Sequence, residues 1–253
     1  MEETPRLKVL SLNIHKGFST DNRRFVLGDL REAIRGVGAD LVFLQEVQGE
    51  HHHHQQRVPD WPDESQYEYL ADQIWSDFAY GRNSVYPHGH HGNALLSKFP
   101  IQKWQNLDVS ANRLDNRGIL WCEVGVPGPG SRVIHTFCVH FGLLVKFRKY
   151  QLDCLKEILR GLRSEDAIIV SGDFNDWNYK IGRYHENELG LTECFQFLQK
   201  SYARTFPSFF PLFRLDRTYV RGFDIESAHV LHQGHWNRLS DHLPIESQLR
   251  LRA

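Results

Sequence analysis

Short apolar runs of strand length, separated by stretches with a helical period, follow one another from residue 7 to residue 251. That alternation confines the chain to an α/β architecture. Runs that read as strands cover 7–12, 41–44, 94–96, 120–126, 133–139 and 167–170, with two more near Thr218 and Ile225. The last run is the plainest: Ile245, Ser247, Leu249 and Leu251 alternate with Glu246, Gln248 and Arg250, as in a strand with one wet face. Helical spacing links Val26, Leu30, Ile34 and Val37; Tyr67, Leu70, Ala71, Ile74 and Phe78; and Leu155, Ile158, Leu159 and Leu162. Three helices cannot easily cover so many strands in one flat sheet, so two sheets packed face to face with helices outside is the economical arrangement. No long linker or repeat interrupts the 253 residues, which predicts a single domain over 1–253. Residues 48–64, with His51, His52, His53 and His54 and two prolines, Pro59 and Pro62, read as a polar surface loop, and 127–131 as a hairpin tip.

Charge narrows the partners. Lysine plus arginine (30) and aspartate plus glutamate (31) nearly cancel, so no global positive field draws the chain to a polyanion, and any basic surface is local. The amino end starts acidic and lacks the basic start and apolar stretch of a secretory signal, and no apolar run reaches the roughly 20 residues of a spanning helix. Cys122, Cys138, Cys154 and Cys194 show no CxxC spacing and, for the most part, sit among apolar residues. They read as reduced core thiols of a cytoplasmic protein.

Several apolar runs end in polar residues that a core would not choose. Asn13 follows the first, Gln45 and Glu46 the second, His140 the fifth, and Gly172, Asp173 and Asn175 the sixth. Each alone is explained as well by turn or cap chemistry. The ordered set, continued by Asp216 in RLDR and by Ser240, Asp241 and His242, is not explained by packing. Layered sheets bring strand ends to one rim, where α/β proteins commonly place chemistry. The set is rich in carboxylates and amides without a cysteine cluster, which suits a hard cation such as Mg²⁺ or Mn²⁺.

The chain resembles the endonuclease/exonuclease/phosphatase superfamily, which includes deoxyribonuclease I, abasic-site endonucleases, neutral sphingomyelinases and inositol-polyphosphate 5-phosphatases, and is most similar to bacterial members of unassigned substrate. The resemblance runs nearly the full length and rests on LNIHKG (12–17), LQEV (44–47), GNALLSKFPI (92–101), RG (117–118), VHFG (139–142), SGDFN (171–175), LDRTYV (215–220) and SDHLPI (240–245). It implies a four-layer αββα sandwich with the active site at one edge of the paired sheets. A phosphodiester resists attack because its oxygens are anionic and its leaving alkoxide is poor, so catalysis needs positive charge, an aligned water and help for the leaving oxygen. Glu46 is the first metal ligand, with Asn13 and Asp241 completing the site. Asp173, fixed at a strand end, is the candidate to deprotonate the water, and Asn175 to donate to a phosphate oxygen. The resemblance matches His242 to the catalytic histidine, its ring held by Asp216. It matches His140 to the second histidine of the deoxyribonuclease and sphingomyelinase branches, where abasic-site enzymes carry tyrosine. Asn13, Asn93 and Arg117 join Asn175 as substrate-binding candidates.

Other features carry less. Consecutive histidines cannot all face one ion, which leaves His51 to His54 outside the site. Lys146, Arg148 and Lys149 either track a phosphate backbone or form a solvated helix end. Phe209, Phe210 and Phe213 either pack in the core, stack on bases, or touch a bilayer surface. Three readings follow: a nuclease or related phosphodiesterase, a hydrolase of phospholipids or small phosphate esters, and an inactive binding protein, which the intact acid, amide and histidine set disfavours.

Overall fold

The computed structural model describes residues 4–113, 115–127, 132–177 and 190–252. Two six-stranded mixed sheets pack face to face. The first contains β1 (Arg6–Asn13), β2 (Leu41–His51), β3 (Asp77–Tyr86), β4 (Gly89–Ser97), β11 (Phe223–Val230) and β12 (Ile245–Leu251), in the order β11-β12-β1-β2-β4-β3. The second contains β5 (Ile101–Asp108), β6 (Gly118–Val126), β7 (Arg132–His140), β8 (Ala167–Asp173), β9 (Thr192–Glu193) and β10 (Asp216–Arg221), in the order β5-β6-β7-β8-β10-β9. Each sheet has one parallel pair at its centre, β1 with β2 and β7 with β8, and the remaining pairs are antiparallel.

Alternation along the central strands builds three apolar layers. Leu7 and Val9 of β1, Leu41 and Phe43 of β2, and Ala167 and Ile169 of β8 point into the space between the sheets, with Leu120, Cys138 and Val220. Leu10, Leu12, Val42 and Leu44 face outward against α1 (Leu27–Val37), which contributes Leu27, Leu30 and Ile34, and against Leu70 and Ala71 of α3 (Gln66–Ala71). On the other side Ile168, Val170 and Val139 meet Leu152, Leu155 and Leu159 of α4 (Val145–Arg160). Both faces of these strands are thus buried, which explains their unbroken apolar runs. Each such side chain contributes about 1.5–3 kcal/mol. The helices outside the sheets complete the expected αββα sandwich. Among the described residues no helix is long and apolar enough to cross a membrane.

Two expectations are corrected. Residues 48–51 continue β2 rather than opening a loop, and 52–57 form α2 (His52–Arg57). Gln48 is buried, its backbone N–H donating to Gln66 Oε1 at 2.9 Å and its Nε2 to the Tyr86 hydroxyl at 3.1 Å, whereas Glu50, His52 and 55–57 are exposed. The helix anticipated through Phe78 stops at Ala71, where Asp72 adopts φ 47°, and Phe78 belongs to β3. β5 also went unread, because it is an edge strand with mostly exposed or half-buried side chains. The anticipated tip at 127–131 joins strands that do pair, Val126 opposite Arg132, but 128–131 lie outside the described residues. α5 (Cys194–Gln199) and α6 (Trp236–Leu239) are short.

Candidate active site

Parallel pairing sends both strands of a pair to the same edge, and here it delivers the polar strand ends. Asn13, the last residue of β1, stands opposite Gln45 within β2, and His140 opposite Asp173 at the end of β7 and β8. β10 runs the other way and opens at that edge, with Asp216 opposite Asp173. The β7–β8 approach at this edge depends on Gly172, which has φ +145°; a Cβ there would lie 2.0 Å from the Val139 carbonyl oxygen. No other residue fits between the two strands.

Asp173 is the hub. Its Oδ1 accepts the Asn175 backbone N–H at 2.8 Å, and its Oδ2 lies 3.4 Å from Asn13 Nδ2, 3.6 Å from His140 Nε2 and 3.7 Å from His242 Nε2. Asn13 belongs to the facing sheet, and its Nδ2 also lies 3.5 Å from Glu46 Oε1. His242 Nδ1 donates to Asp216 Oδ2 at 2.8 Å, which fixes the ring with Nε2 toward Asp173, and Thr205 Oγ1 donates to the same Asp216 oxygen at 2.5 Å. Ser240 ties the last segment in: its Oγ donates to the Asn13 carbonyl at 2.6 Å and accepts the His242 backbone N–H at 3.2 Å. Residues far apart in the chain thus form one connected, mostly buried group.

Left-handed backbone collects here. Glu46 has φ 56°, Asn175 φ 49°, His15 φ 48° and Lys16 φ 57°. At Glu46 the β2–β4 register shifts between Leu44 and Val47, a bulge that departs from strict alternation. A non-glycine residue in this region costs on the order of 1 kcal/mol, and such strain clusters where a side chain must be aimed.

The electrostatics separate the titratable groups. Burial, reinforced by Asp216, pushes the Asp173 carboxyl up to about 6, against the pull of His242, the Asn175 N–H and Arg117. Burial opposes charge on His242 too, but Asp216 and Asp173 overcome it and raise the imidazole to about 10. His140 goes the other way: burial, helped by Arg117, His242 and His91, drives it well below the usual histidine range despite Glu46. Burial would raise Glu46, yet His140, Lys16, His91 and His15 hold it down to about 2. The site therefore pairs one protonated and one neutral imidazole with a hub carboxylate.

Among the described residues no three His, Cys, Asp or Glu side chains already gather at ligating distance. The donor set nevertheless fits a hard divalent ion that keeps most of its waters. Glu46 Oε2 is buried without a hydrogen-bond partner, with the Lys16 ammonium 3.4 Å away. Asp241 lies on the same rim, its Oδ1 3.9 Å from His15 Nδ1. Asn13 turns its amide nitrogen, not its oxygen, toward Glu46 and Asp173, while Oδ1 accepts the His15 N–H at 3.0 Å.

The substrate-binding candidates divide. Asn175 donates to the Phe141 carbonyl at 2.9 Å and accepts from Trp177 Nε1 at 3.2 Å, leaving one amide N–H. Arg117 borders the group, its Nε 3.6 Å from Asp115 Oδ1. Asn93 is buried and donates to the Gly118 and Cys138 carbonyls at 3.0 and 3.2 Å, bonds that tie β4 to the facing sheet. His51 and His54 stack on each other at 3.5 Å between centroids, against Trp61 and apart from Asp173. Phe213 packs on Trp177 at 4.9 Å, and Phe206 on His242 at 4.9 Å, so Phe213 is part of the cleft wall rather than a free ring. Reading the sequence missed Lys16 and His15, though both lie within LNIHKG, whereas His91 reads with His88 and His90 as a loop that either contacts substrate or forms a glycine-rich turn. Thr205 carried no signal: it follows no apolar run and belongs to no motif.

The profile of the Endonuclease/Exonuclease/phosphatase family matches residues 10–242. The chain is 48% identical over 244 residues, 96% of each chain, to the uncharacterized protein YbhP of Escherichia coli K12. Its fold is similar to an endonuclease/exonuclease/phosphatase from Beutenbergia cavernae, with 20% identity, a TM-score of 0.75, and coverage of 98% of this chain and 72% of that one. It is also similar to D. rerio TDP2 complexed with single strand DNA product, with 15% identity, a TM-score of 0.70, and coverage of 97% and 99%. The chain belongs to the endonuclease/exonuclease/phosphatase family, a family of metal-dependent phosphoester hydrolases.

Proposed function

We propose that the chain is a Mg²⁺- or Mn²⁺-dependent phosphodiesterase in which Asp173 activates the attacking water. The observation that carries this reading is the contact of one buried carboxylate with two imidazoles, one of them kept protonated by its own aspartate. Asp173 takes the proton of the water as its oxygen attacks phosphorus. The His242 imidazolium stabilises the negative charge that builds on the phosphoryl oxygens, and Asp216 holds the ring in place. The remaining N–H of Asn175 orients a phosphoryl oxygen, with Arg117 beside it, and His140 donates to the leaving oxygen or to phosphate. Glu46 would hold the metal ion, with Asp241 and, after rotation of its amide, Asn13. When bound, such an ion supplies positive charge to the phosphoryl group and leaving oxygen.

Nucleic acid is the first substrate reading, supported by the likeness to a fold solved with a single strand DNA product. A phospholipid or other small phosphate ester is the second, favoured by the exposed Phe209 and Phe210 on the loop whose Ser208 N–H donates to the Asp241 carbonyl at 2.8 Å. Four free thiols, three of them buried, support a reducing, cytoplasmic setting. The purified protein hydrolyses bis-p-nitrophenyl phosphate with Mg²⁺ or Mn²⁺ and stops in excess chelator; equal turnover with chelator defeats the metal assignment. Plasmid nicking compared with headgroup release from phospholipid vesicles separates the two substrate readings.

A further inference from the structure

Two loops leave the cleft wall with apolar side chains turned to solvent. One follows His140: Leu143, Leu144 and Val145 are exposed, Leu143 by 62%, as is Tyr150 one helical turn on. The other is the turn after Ser208, where Phe209 and Phe210 are 69% and 63% exposed and Leu212 is exposed beside them. Both are held rather than loose. The buried Arg148 donates to the Gly142 carbonyl at 3.2 Å and to that of Leu143. The Phe210 N–H donates to Pro207 at 3.0 Å and the Leu212 N–H to Phe206 at 2.9 Å. A chain of contacts joins their roots across the cleft, from Phe213 to Trp177, Asn175 and Phe141.

Their exposed charge is mainly basic. Residues 141–152 and 201–214 contain no aspartate or glutamate and expose Lys146, Lys149 and Arg204, while Asp115 beside Gly142 is held by Gln151 and Asp153 follows on α4. In a chain of net charge −1 this is a local excess of cations. We propose that this rim docks on an anionic phospholipid bilayer, with Leu143, Leu144, Phe209 and Phe210 entering the headgroup region and Lys146, Lys149 and Arg204 facing lipid phosphates. A nucleic-acid strand fits less well. Leu143, Leu144, Val145 and Leu212 offer no aromatic face for bases to stack on. The inference goes beyond the hydrolytic reaction proposed above and is read without turnover, so either fails independently of the other.

The full-length protein is sedimented with phosphatidylcholine vesicles and with vesicles in which about a third of the lipid is phosphatidylglycerol. It binds the anionic vesicles, and added salt weakens the binding. The double variants Phe209→Ser/Phe210→Ser and Leu143→Ser/Leu144→Ser each lower partitioning roughly tenfold or more, with unchanged circular dichroism. Lys146→Glu/Lys149→Glu lowers it on anionic vesicles alone. The proposal is overturned if the wild type does not sediment with anionic vesicles, or if neither apolar double variant changes its binding. Loss of a single-stranded oligonucleotide from the same variants, with vesicles unbound throughout, assigns the rim to nucleic acid instead.

Discussion

Asp173 and His242 make opposite demands on stability. Burial raises the Asp173 carboxyl to about 6, so at neutral pH its charge is held at a cost to the fold. Asp173→Asn therefore lowers kcat/KM by about a thousandfold or more while leaving the metal-free protein at least as heat-stable as wild type. A large drop in Tm together with lost activity would assign Asp173 a structural role. For His242 the folded value, about 10, stands above the unfolded value near 6.5. Its pairing with Asp216 thus contributes fully below about pH 6.5 and is lost as pH rises through 10. In chelator, the wild-type protein loses on the order of 3 kcal/mol over that window by chemical denaturation, and Asp216→Asn flattens the loss. Equal pH slopes for the two proteins would exclude the ion pair as its source.

At the scale of elements, the β7–β8 pair sets the distance between His140 and Asp173. Gly172→Ala drives a methyl into the Val139 carbonyl, which has to move. This variant loses about 3 kcal/mol or more and most of its activity; near-wild-type stability would mean that the strands separate more readily than their register implies. The central strands were legible because both of their faces are buried, which leaves an unmistakable apolar run, and the polar residues that end them stood out for the same reason. β3 and β5 were not, since edge strands carry polar side chains that periodicity cannot distinguish from loop. The bulge at Glu46 was also hidden, because the apolar run stops at Leu44 and a left-handed φ leaves no mark in composition. Asp216 and His242 were paired by likeness to the family alone; 26 residues separate them, and spacing says nothing of distance. Lys16 and Thr205 became visible only when the strand ends met.

Across the whole molecule, the ordered state and the bound ion are linked. A cation that binds the folded chain at Glu46 and has little affinity for the unfolded one raises Tm with concentration. Mg²⁺ at about a hundredfold excess over its dissociation constant adds about 2.7 kcal/mol in wild type and far less in Glu46→Gln, measured by thermal shift against chelator. Equal shifts in both proteins would move the ion elsewhere. The group around Asp173 is divided between the two sheets: Asn13 and Glu46 come from one, His140 and Asp173 from the other. Asn93, donating from β4 to carbonyls of β6 and β7, acts as a rivet between the leaves. Sliding one leaf by the width of a methyl group would disarm the chemistry while every strand stayed intact, so alignment between the halves is itself a working part.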